Sequence, residues 1–539
     1  VVTDYQFDAK SQLLTETSTD AAGIARTTEY VYNGVGNQVK ATDAEQGITR
    51  QHYDNLGRMV ASENGLGGIS RYVYNQHNQV QFSIDALGAV VEYSYDLNGN
   101  RLSEKAYANA IDISTLAIEN TAEQVLALIT AGDQDQLTQY AYDANNQLIN
   151  TISPTGIETT INRRIENGYQ IIERIHAGQS TQTVQDTHGR PIFELSSAGQ
   201  LVEYRYDVIT GLQSSERTFA GFHTSANLIT KSDFESLAQT LEVLHEKISR
   251  YNSQNQLVVS ENKSGGEVLN TEYRYNTLGQ LSHKIDANGH AEYYFYNDHG
   301  QQEYRVSPQG SITQISYNDR GEQIAVRQLA TAIDMTLFEA NSTVETLLSG
   351  IELSNSDQVN YQVQDKLGRI VFTVNALGDV TEFRYDANSN RTTTLNYDKA
   401  VNLTTTALTQ ATLTSALAEL YGSGFSDVTK IHHVFDGENR EVYRINTLGR
   451  VIEYQYEVDG QLTKEIAYET GVRSDVDLTV NAIKSELITS AKDRVQETFY
   501  DQEDRLVQEK DAQGMSVFYT YNAQGELIST SQAENLQDV

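Results

Sequence analysis

The sequence predicts a mainly β protein made of tandem 21-residue β-hairpin repeats, with five short helical insertions. Three observations predict this fold. A Tyr followed by Asp or Asn returns every 21 residues at Tyr32, Tyr53, Tyr74 and Tyr95. A second turn signal lies midway between copies. The 33 Tyr, with no Trp and only 3 Pro, suit pleated, half-buried strands. A fixed period of this length is typical of a repeat protein.

The Tyr-Asp turn is the first element of each repeat. Asp54, Asp96 and Asp386 each come directly after a Tyr at the end of a predicted strand. There the carboxylate can accept hydrogen bonds from backbone N–H groups further along the turn. Three residues after the Asp comes Gly or Asn, the residues that best tolerate a left-handed backbone. The pattern is therefore a backbone requirement and does not indicate a phosphate-binding loop. The predicted turn glycines are Gly57, Gly99, Gly279, Gly300 and Gly460.

The mid-repeat turn is the second element, as in Asp85-Ala86-Leu87-Gly88. Strands of six or seven residues connect it to the Tyr-Asp turns on either side. Two turn signals within 21 residues predict one β-hairpin per repeat.

A Tyr-x-Tyr pair ends the strand before most Tyr-Asp turns. Both tyrosines of a pair point to the same face, because side chains alternate along a strand. Stacked hairpins would align these pairs into ladders, where each aromatic neighbour adds a few tenths to about 1 kcal/mol. We expect one aromatic face and one wet face, and we favour sheet packing over sugar stacking as the role of the rings. The predicted ladder residues include Tyr93, Tyr95, Tyr273, Tyr275, Tyr294, Tyr296, Tyr454 and Tyr456.

Five insertions interrupt a single repeat array that spans residues 1–539. They are predicted at about 107–135, 218–248, 329–356, 398–428 and 469–494, where the step between motifs rises to 44–50 residues. Apolar residues spaced by three and four predict one short helix in each, over 121–129, 232–241, 342–348, 411–420 and 480–487. Helices of two to three turns are unstable alone, so we expect them to pack on the sheet.

The repeat resembles the YD-repeat of the RHS family. The Tyr-Asp-x-x-Gly-Arg turn, as in 53–58, and the mid-repeat turn together cover essentially the whole chain apart from the insertions. The insertion type, as in 106–112, resembles that of very large bacterial YD-repeat proteins. The resemblance implies one continuous sheet that spirals into a hollow shell or tube, as in toxin-complex cocoon components, Rhs effectors and teneurin-like shells. In the toxin branch, the shell encloses a C-terminal toxin that an Asp-dependent self-cleavage releases. That cleavage belongs to a core with an Asp-Pro element.

Self-cleavage cannot be transferred to this chain. Its prolines are Pro154, Pro191 and Pro308, and none follows an Asp. A toxin domain cannot be transferred either. The resemblance therefore implies the shell and leaves its cargo open.

Composition excludes several functional classes. A net charge of −34 and a pI near 4.6 argue against binding to nucleic acid, whose phosphates attract a basic surface. The same charge argues against adsorption to anionic membranes. There is no Cys and no apolar run of about 18 residues. The sequence lacks nucleophile-elbow, His-Glu-x-x-His and phosphate-loop motifs. We predict no catalytic, cofactor or metal residues, with weak divalent-cation binding by the acidic surface as a minority interpretation.

The leading hypothesis is a non-enzymatic scaffold, a shell or tube segment of a large secreted or cell-surface bacterial protein. Its partners would be the rest of a longer parent chain and an enclosed protein cargo. The alternative is an adhesin that recognises surface glycans or a protein. Any targeting signal would lie outside this chain.

Overall fold

The computed structural model describes residues 2–19, 24–221, 223, 228–335, 347, 349, 351, 353–402, 408–421, 428–458, 460–501, 505–521 and 527–534. Within them, 38 strands form one sheet in which each strand pairs antiparallel with the next along the chain. The predicted fold class is confirmed.

The first half of the sheet consists of β1 Val2–Phe7, β2 Leu13–Thr19, β3 Ala25–Tyr32, β4 Gln38–Thr42, β5 Ile48–Tyr53, β6 Met59–Glu63, β7 Ile69–Tyr74, β8 Val80–Ile84, β9 Val90–Tyr95, β10 Arg101–Ala106, β11 Gln136–Tyr142, β12 Leu148–Ile152, β13 Glu158–Glu166, β14 Tyr169–His176, β15 Gln179–Gln185, β16 Pro191–Leu195, β17 Leu201–Tyr206, β18 Gln213–Phe219 and β19 Val243–Tyr251. The second half consists of β20 Leu257–Ser264, β21 Glu267–Tyr275, β22 Leu281–Ile285, β23 Ala291–Tyr296, β24 Gln302–Val306, β25 Ile312–Tyr317, β26 Gln323–Gln328, β27 Gln358–Gln364, β28 Ile370–Val374, β29 Val380–Tyr385, β30 Arg391–Asn396, β31 Thr429–Phe435, β32 Glu441–Asn446, β33 Val451–Tyr456, β34 Leu462–Ala467, β35 Arg494–Tyr500, β36 Leu506–Lys510, β37 Met515–Tyr521 and β38 Leu527–Glu534.

The described helices all lie in the segments that interrupt the repeats. They are α1 Ala122–Leu126, α2 Lys231–Thr240, α3 Gln410–Tyr421 and α4 Val480–Glu486, with a 3₁₀ turn at Ile113–Thr115. A Thr side chain caps the start of α1, α2 and α4. The third predicted helix, over 342–348, lies outside the described residues apart from Leu347, which is fully buried.

One insertion is shorter than the sequence indicated. Residues 243–248, placed in the second insertion of 218–248, belong to β19, which pairs with β18 and β20. Residues 243–248 read Val-Leu-His-Glu-Lys-Ile, without the alternation of apolar and polar residues that is typical of a strand, so the start of β19 was not recognisable from the sequence.

The hydrophobic core lies on the face opposite the tyrosine ladder. In β7, Val73 is buried while its neighbours Tyr72 and Tyr74 are half-buried. Val73 packs with Phe82 and Val90 beneath the first insertion, and each of the other insertions covers a similar cluster. The expectation that the face opposite the aromatics is wet is therefore wrong wherever an insertion packs. The insertions fold back over that face and exclude water from it.

The sheet winds into a spiral whose successive turns meet edge to edge. The turn after β4 contacts the turn after β25, through Asp43 and Arg320. The turn after β8 contacts the turn after β29, through Asp85 and Asn388. In both cases the partner lies 21 strands further along the sheet. We call this line of contacts the seam.

Candidate functional site

The Tyr-Asp turn is closed by its own carboxylate. Asp54 Oδ1 accepts hydrogen bonds from the backbone N–H groups of Leu56 and Arg58, each at 2.9 Å. The Arg58 guanidinium donates to Asp54 Oδ2 at 2.6 Å. Gly57 has a φ of +79°, which an L side chain adopts only at a cost of roughly 1–2 kcal/mol. Asp96 and Asp386 accept the same pair of backbone bonds in their own turns.

The other predicted turn positions adopt the same backbone conformation. Gly99, Gly279, Gly300 and Gly460 have φ values of +91°, +81°, +77° and +92°. Where the motif carries Asn instead, as at Asn78, φ is +61°. Glycine and asparagine are thus found where the turn requires a left-handed residue.

In most ladder pairs, the second tyrosine donates its hydroxyl hydrogen to a backbone carbonyl of the preceding hairpin. Tyr74 Oη lies 2.8 Å from the carbonyl oxygen of Met59. Met59 is beyond the paired stretch of β6 and β7, which begins at Ala61 and Arg71. The hydroxyl therefore replaces a ladder hydrogen bond that the splayed strands cannot make. The same bond joins Tyr95 to Val80, Tyr275 to Leu257, Tyr296 to Leu281, Tyr385 to Ile370 and Tyr456 to Glu441.

The first tyrosine of each pair has varied partners. Tyr93 shares a hydrogen bond with Ser83 at 3.3 Å and lies under the Arg101 guanidinium. Tyr294 donates to Glu292 at 2.6 Å, and Tyr454 lies under Arg444. Tyr273 is half-buried in β21. The pairs are thus in contact with polar and charged groups on their own face of the sheet.

An Arg in the turn links one repeat to the next. The Arg58 guanidinium, already bound to Asp54, lies 4.6 Å from the ring centroid of Tyr74 in the following hairpin. Such cation–π contacts contribute about 0.5–1 kcal/mol at exposed positions. The sequence motif included this Arg, four residues after the Asp, but its contact with the ring of the following hairpin was not predicted. The unit recurs with Arg190 over Tyr206, Arg369 over Tyr385, Arg440 over Tyr456 and Arg505 over Tyr521.

Burial and hydrogen bonding shift the pKa values of the side chains on this face. Burial alone would raise the pKa of Asp54, but hydrogen bonds from the Arg58 backbone and side chain and from Leu56 together outweigh it, so the pKa of Asp54 is lowered. Burial raises the pKa of Tyr454 to about 12. The turn carboxylate is thus held ionised, and the ladder phenol is held neutral.

Five mid-repeat turns anchor the insertions through a glycine. The N–H of Val401 donates to the Gly378 carbonyl at 2.9 Å, and an added Cβ on Gly378 would lie 2.5 Å from the Val401 carbonyl oxygen. Mid-repeat Gly289 has nothing within 4 Å of that position. The anchoring glycines therefore have a packing role that their motif does not distinguish. The same bond joins Ile111 to Gly88, His223 to Gly199, Ile333 to Gly310 and Val472 to Gly449.

The seam is held by the third residue of the Tyr-Asp turn. Arg320 donates to Asp43 at 3.2 Å, and Asn388 donates to Asp85 at 2.6 Å. Glu438, at the same turn position, accepts from Gln136 at 2.9 Å. Burial raises the pKa of Glu438, against the opposing effect of Arg440. Each contact joins residues that lie roughly 280–300 positions apart in the chain. The local motifs do not indicate which residues form such a pair.

The described residues contain no arrangement typical of a metal centre. Within the described ranges, no group of three or more His, Asp or Glu side chains is placed to hold a metal ion. Among the described helices, none has the length and apolar character needed to cross a membrane.

The comparisons with known proteins concern the fold. No family model and no curated protein matches this sequence. The structure is similar to the crystal structure of TcdB2-TccC3-Cdc42, with a TM-score of 0.53 and 12 % identity over 98 % of this chain and 29 % of that one. The crystal structure of TcdB2-TccC3-TEV gives a TM-score of 0.52 at 12 % identity, over 96 % and 28 %.

This chain spans less than a third of the length of those chains. Identity at this level establishes a shared fold. The predicted resemblance to YD-repeat shells is confirmed at that level: the chain has the hairpin-spiral fold seen in the TcdB2-TccC3 toxin complex.

Proposed function

We propose that this chain is a non-enzymatic wall segment of a hollow shell that encloses a protein cargo, within a larger parent protein. The seam is the observation that carries the proposal. A flat or open sheet would leave its turn tips in solvent, whereas here Asp43, Asp85 and Gln136 of one spiral turn bind the next one. Contacts of this kind join the successive turns into a continuous wall.

The strand count sets the scale of the enclosed space. With strands about 4.8 Å apart, 21 strands give a circumference of about 100 Å and a backbone diameter of about 30 Å. A side-chain layer of about 5 Å on each side leaves a lumen of about 20 Å. A helix of about 10–12 Å diameter fits this space. A folded 100-residue domain, with a radius of gyration of about 13 Å, does not. The cargo is therefore an extended or helical polypeptide.

The ladder face lines the lumen in this proposal. All insertion cores lie on the opposite face, and a helical layer about 10 Å thick turned inwards would fill the space. The half-buried tyrosines and their guanidinium partners give the lumen a hydrogen-bonding, partly wetted lining. The insertions then brace the outside of the wall.

A secreted or cell-surface bacterial location fits the same proposal. The net charge of −34 keeps a large particle dispersed, and a cysteine-free chain is insensitive to the change in redox conditions on export. Divalent cations would bind this acidic surface only weakly and diffusely. Calcium and magnesium at equal concentration should then shift the melting temperature equally, and a calcium-specific rise would indicate a defined site.

The alternative, an adhesin for glycans or a protein, has less support from the ladder. A ring that stacks on a sugar needs a free face, but the Tyr74 and Tyr385 rings already lie against Arg58 and Arg369. Their hydroxyl groups are also bound to the backbone. Glycan-array binding that is lost on Tyr74→Ala would favour the adhesin over the shell.

Electron cryomicroscopy of the purified chain tests the shell. We expect a ring or short tube with about 21 strands per turn, an empty centre about 20 Å wide and helical density on the outer surface. A filled centre, or an open sheet whose turns do not meet, would contradict the proposal.

A further inference from the structure

A cavity of about 500 Å³ lies in the seam, between the two spiral turns. Tyr72, Tyr93 and Gln136 line it from the first spiral turn, and residues 437–439 line it from the second one. Cavities that hold small molecules have volumes of about 300–1,000 Å³. This space, which we call the seam cavity, is therefore large enough for a ligand.

Two carboxylates line the seam cavity, and the first of them has its hydrogen-bond partners in place. Asp85 Oδ1 accepts from the backbone N–H groups of Leu87 and Ala89, at 2.9 and 2.8 Å. Asp85 Oδ2 accepts from the Asn388 side chain across the seam. Asp85 thus serves the turn and the seam.

The second carboxylate, Glu438, has one oxygen to spare. Its side chain is only 9 % exposed. Oε2 accepts from the Gln136 amide at 2.9 Å and lies 2.7 Å from the Arg440 guanidinium. Oε1 is buried, and among the described residues no donor lies within hydrogen-bond distance of it. A buried acceptor without a donor is unfavourable, above all when it is charged, so a ligand that donates to Oε1 would be stabilised.

The charge around Glu438 is also unbalanced. Arg440 is shared, because its guanidinium lies 2.8 Å from Asp436 as well as 2.7 Å from Glu438. Asp135, which is close by, is already paired with Lys105 at 3.1 Å. Among these described side chains, one negative charge therefore remains without a cation. Burial raises the pKa of Glu438, and Asp436 and Asp135 add to this effect against the opposing charge of Arg440.

The rest of the lining suits an organic cation better than a metal ion. The seam cavity includes Tyr72 and Tyr93, and aromatic rings attract cations. Ile84, Val90 and Val91 add apolar wall, against which a hydrocarbon stem can pack. Calcium takes six or more oxygen ligands, whereas within the described ranges no three His, Asp or Glu side chains are grouped to hold a metal ion.

We propose that the seam cavity binds a primary ammonium group on an apolar stem, with Glu438 Oε1 as the hydrogen-bond acceptor. The ammonium group supplies both the missing donor and the missing positive charge, and its stem lies against the apolar wall. The bound ligand contacts both spiral turns, so it stabilises the closed seam by mass action.

Two sources carry this chemistry, a free amine and the lysine side chain of a polypeptide. Tyr72 and Tyr93 alternate with residues of the insertion face and lie on the ladder face. That face lines the lumen in the proposed shell, so a lysine of an enclosed chain can approach the seam cavity from there. The lysine source rests on the proposed function, whereas the free amine requires only the seam.

Calorimetric titration of the 539-residue chain with phenethylamine at neutral pH tests the proposal. Phenethyl alcohol is the matched control, because it has the same shape and no charge. We expect saturable binding of one amine per chain and roughly tenfold or more weaker binding of the alcohol, since a charged donor makes the stronger hydrogen bond. No binding of the amine, or equal binding of the two compounds, would overturn the proposal.

Two variants locate the binding. Glu438→Gln keeps an acceptor for Gln136 and removes the charge, and it should weaken amine binding roughly tenfold or more. Glu45→Gln removes a carboxylate that accepts from the Asp319 N–H elsewhere in the seam, and it should bind the amine as the wild type does. Equal weakening in both variants would indicate diffuse attraction to an acidic surface and would refute the site.

Hydrogen exchange of the wild type gives a second readout that does not depend on a variant folding. Saturating phenethylamine should slow amide exchange in residues 437–439, because the ligand holds the two spiral turns together. Phenethyl alcohol at the same concentration should slow it much less. Exchange that the amine leaves unchanged would contradict binding across the seam.

A short peptide with one lysine and blocked ends separates the two sources. If this peptide binds and slows exchange in residues 437–439, the site accepts a polypeptide lysine; if only phenethylamine does so, the site takes a free amine. The same peptide with its lysine acetylated should not bind, and equal binding of the acetylated form would contradict the role of charge. Failure of both ligands leaves the expected image of the particle unchanged, whereas an open sheet would remove the seam itself.

Discussion

Replacing Gly378 by Ala tests whether the anchoring glycines hold the insertions on the sheet. The matched control is Gly289→Ala, in a mid-repeat turn with nearly the same backbone, φ +83° against +87°. Both substitutions place a side chain in the left-handed region, at a cost of roughly 1–2 kcal/mol. At Gly289 the new methyl group meets nothing within 4 Å. The control therefore isolates the backbone cost.

At Gly378 two further costs arise. The new Cβ would lie 2.5 Å from the Val401 carbonyl oxygen, and relieving such overlap costs about 1–3 kcal/mol. The movement also weakens the 2.9 Å hydrogen bond from the Val401 N–H, worth about 1 kcal/mol. We expect Gly378→Ala to lower the free energy of local opening of the insertion by about 2–4 kcal/mol more than Gly289→Ala lowers that of its own turn.

Hydrogen exchange is the appropriate measurement, because a repeat array opens locally and need not unfold as one unit. The Val401 amide and the amides of α3 should exchange about 30- to 1000-fold faster in Gly378→Ala, at about 1.4 kcal/mol per tenfold change. The same peptides in Gly289→Ala should be unchanged. Equal effects of the two substitutions on α3 would refute the anchoring role and leave only the backbone requirement.

Three further predictions concern the seam and the ladder. Gly437→Ala should speed hydrogen exchange at the seam, because the new Cβ would lie 2.8 Å from the Ala108 carbonyl oxygen. The control Gly34→Ala has the same turn position, but its Cβ meets nothing within 4 Å, so it should not affect the seam. Asp54→Asn should keep the turn closed at neutral pH, since Asn75 closes the next turn with the same backbone bonds. The pKa of Asp54 is lowered in the folded chain. The stabilisation from its charge is therefore present above about pH 4 and is lost as pH falls further. On acidification, hydrogen exchange of this turn should accelerate in the wild type and much less in the Asp54→Asn variant. Absorbance titration should show Tyr454 ionising near pH 12. The contribution of the neutral phenol to stability is complete below about pH 10 and is lost as pH rises further. If Tyr454→Phe removes no late-titrating phenol, this prediction is wrong.

The fold could be predicted from the sequence because its main signal is local and repeated. The 21-residue step and its two turn signals require only short-range chemistry, and turns such as 54–57 close through residues within four positions of each other. The Gly or Asn three residues after the Asp follows from one dihedral angle. Repetition makes this signal easy to detect, because a copy that departs from the motif is flanked by copies that keep it.

What could not be predicted depends on residues far apart. Tyr72 and Val73 are both suited to a strand core, and only the returning insertion decides that Val73 is the buried one. Gly378 and Gly289 look alike in sequence and differ only in what passes beside them. The seam pairs Asp85 with Asn388, and nothing in either motif signals the other. These features arise from closure of the spiral and docking of the insertions.

The number of strands in one spiral turn limits where this chain can gain residues. Twenty-one is odd, so a Tyr-Asp turn always comes to rest against a mid-repeat turn, and the partners at the seam are unlike. An extra hairpin would move every later partner by two strands and misalign the whole line of contacts. The five insertions leave the strand count unchanged, because each extends a connection between neighbouring strands that still pair, as β10 pairs with β11 around 107–135. New sequence can therefore be accommodated in the connections while the alignment of the wall is preserved.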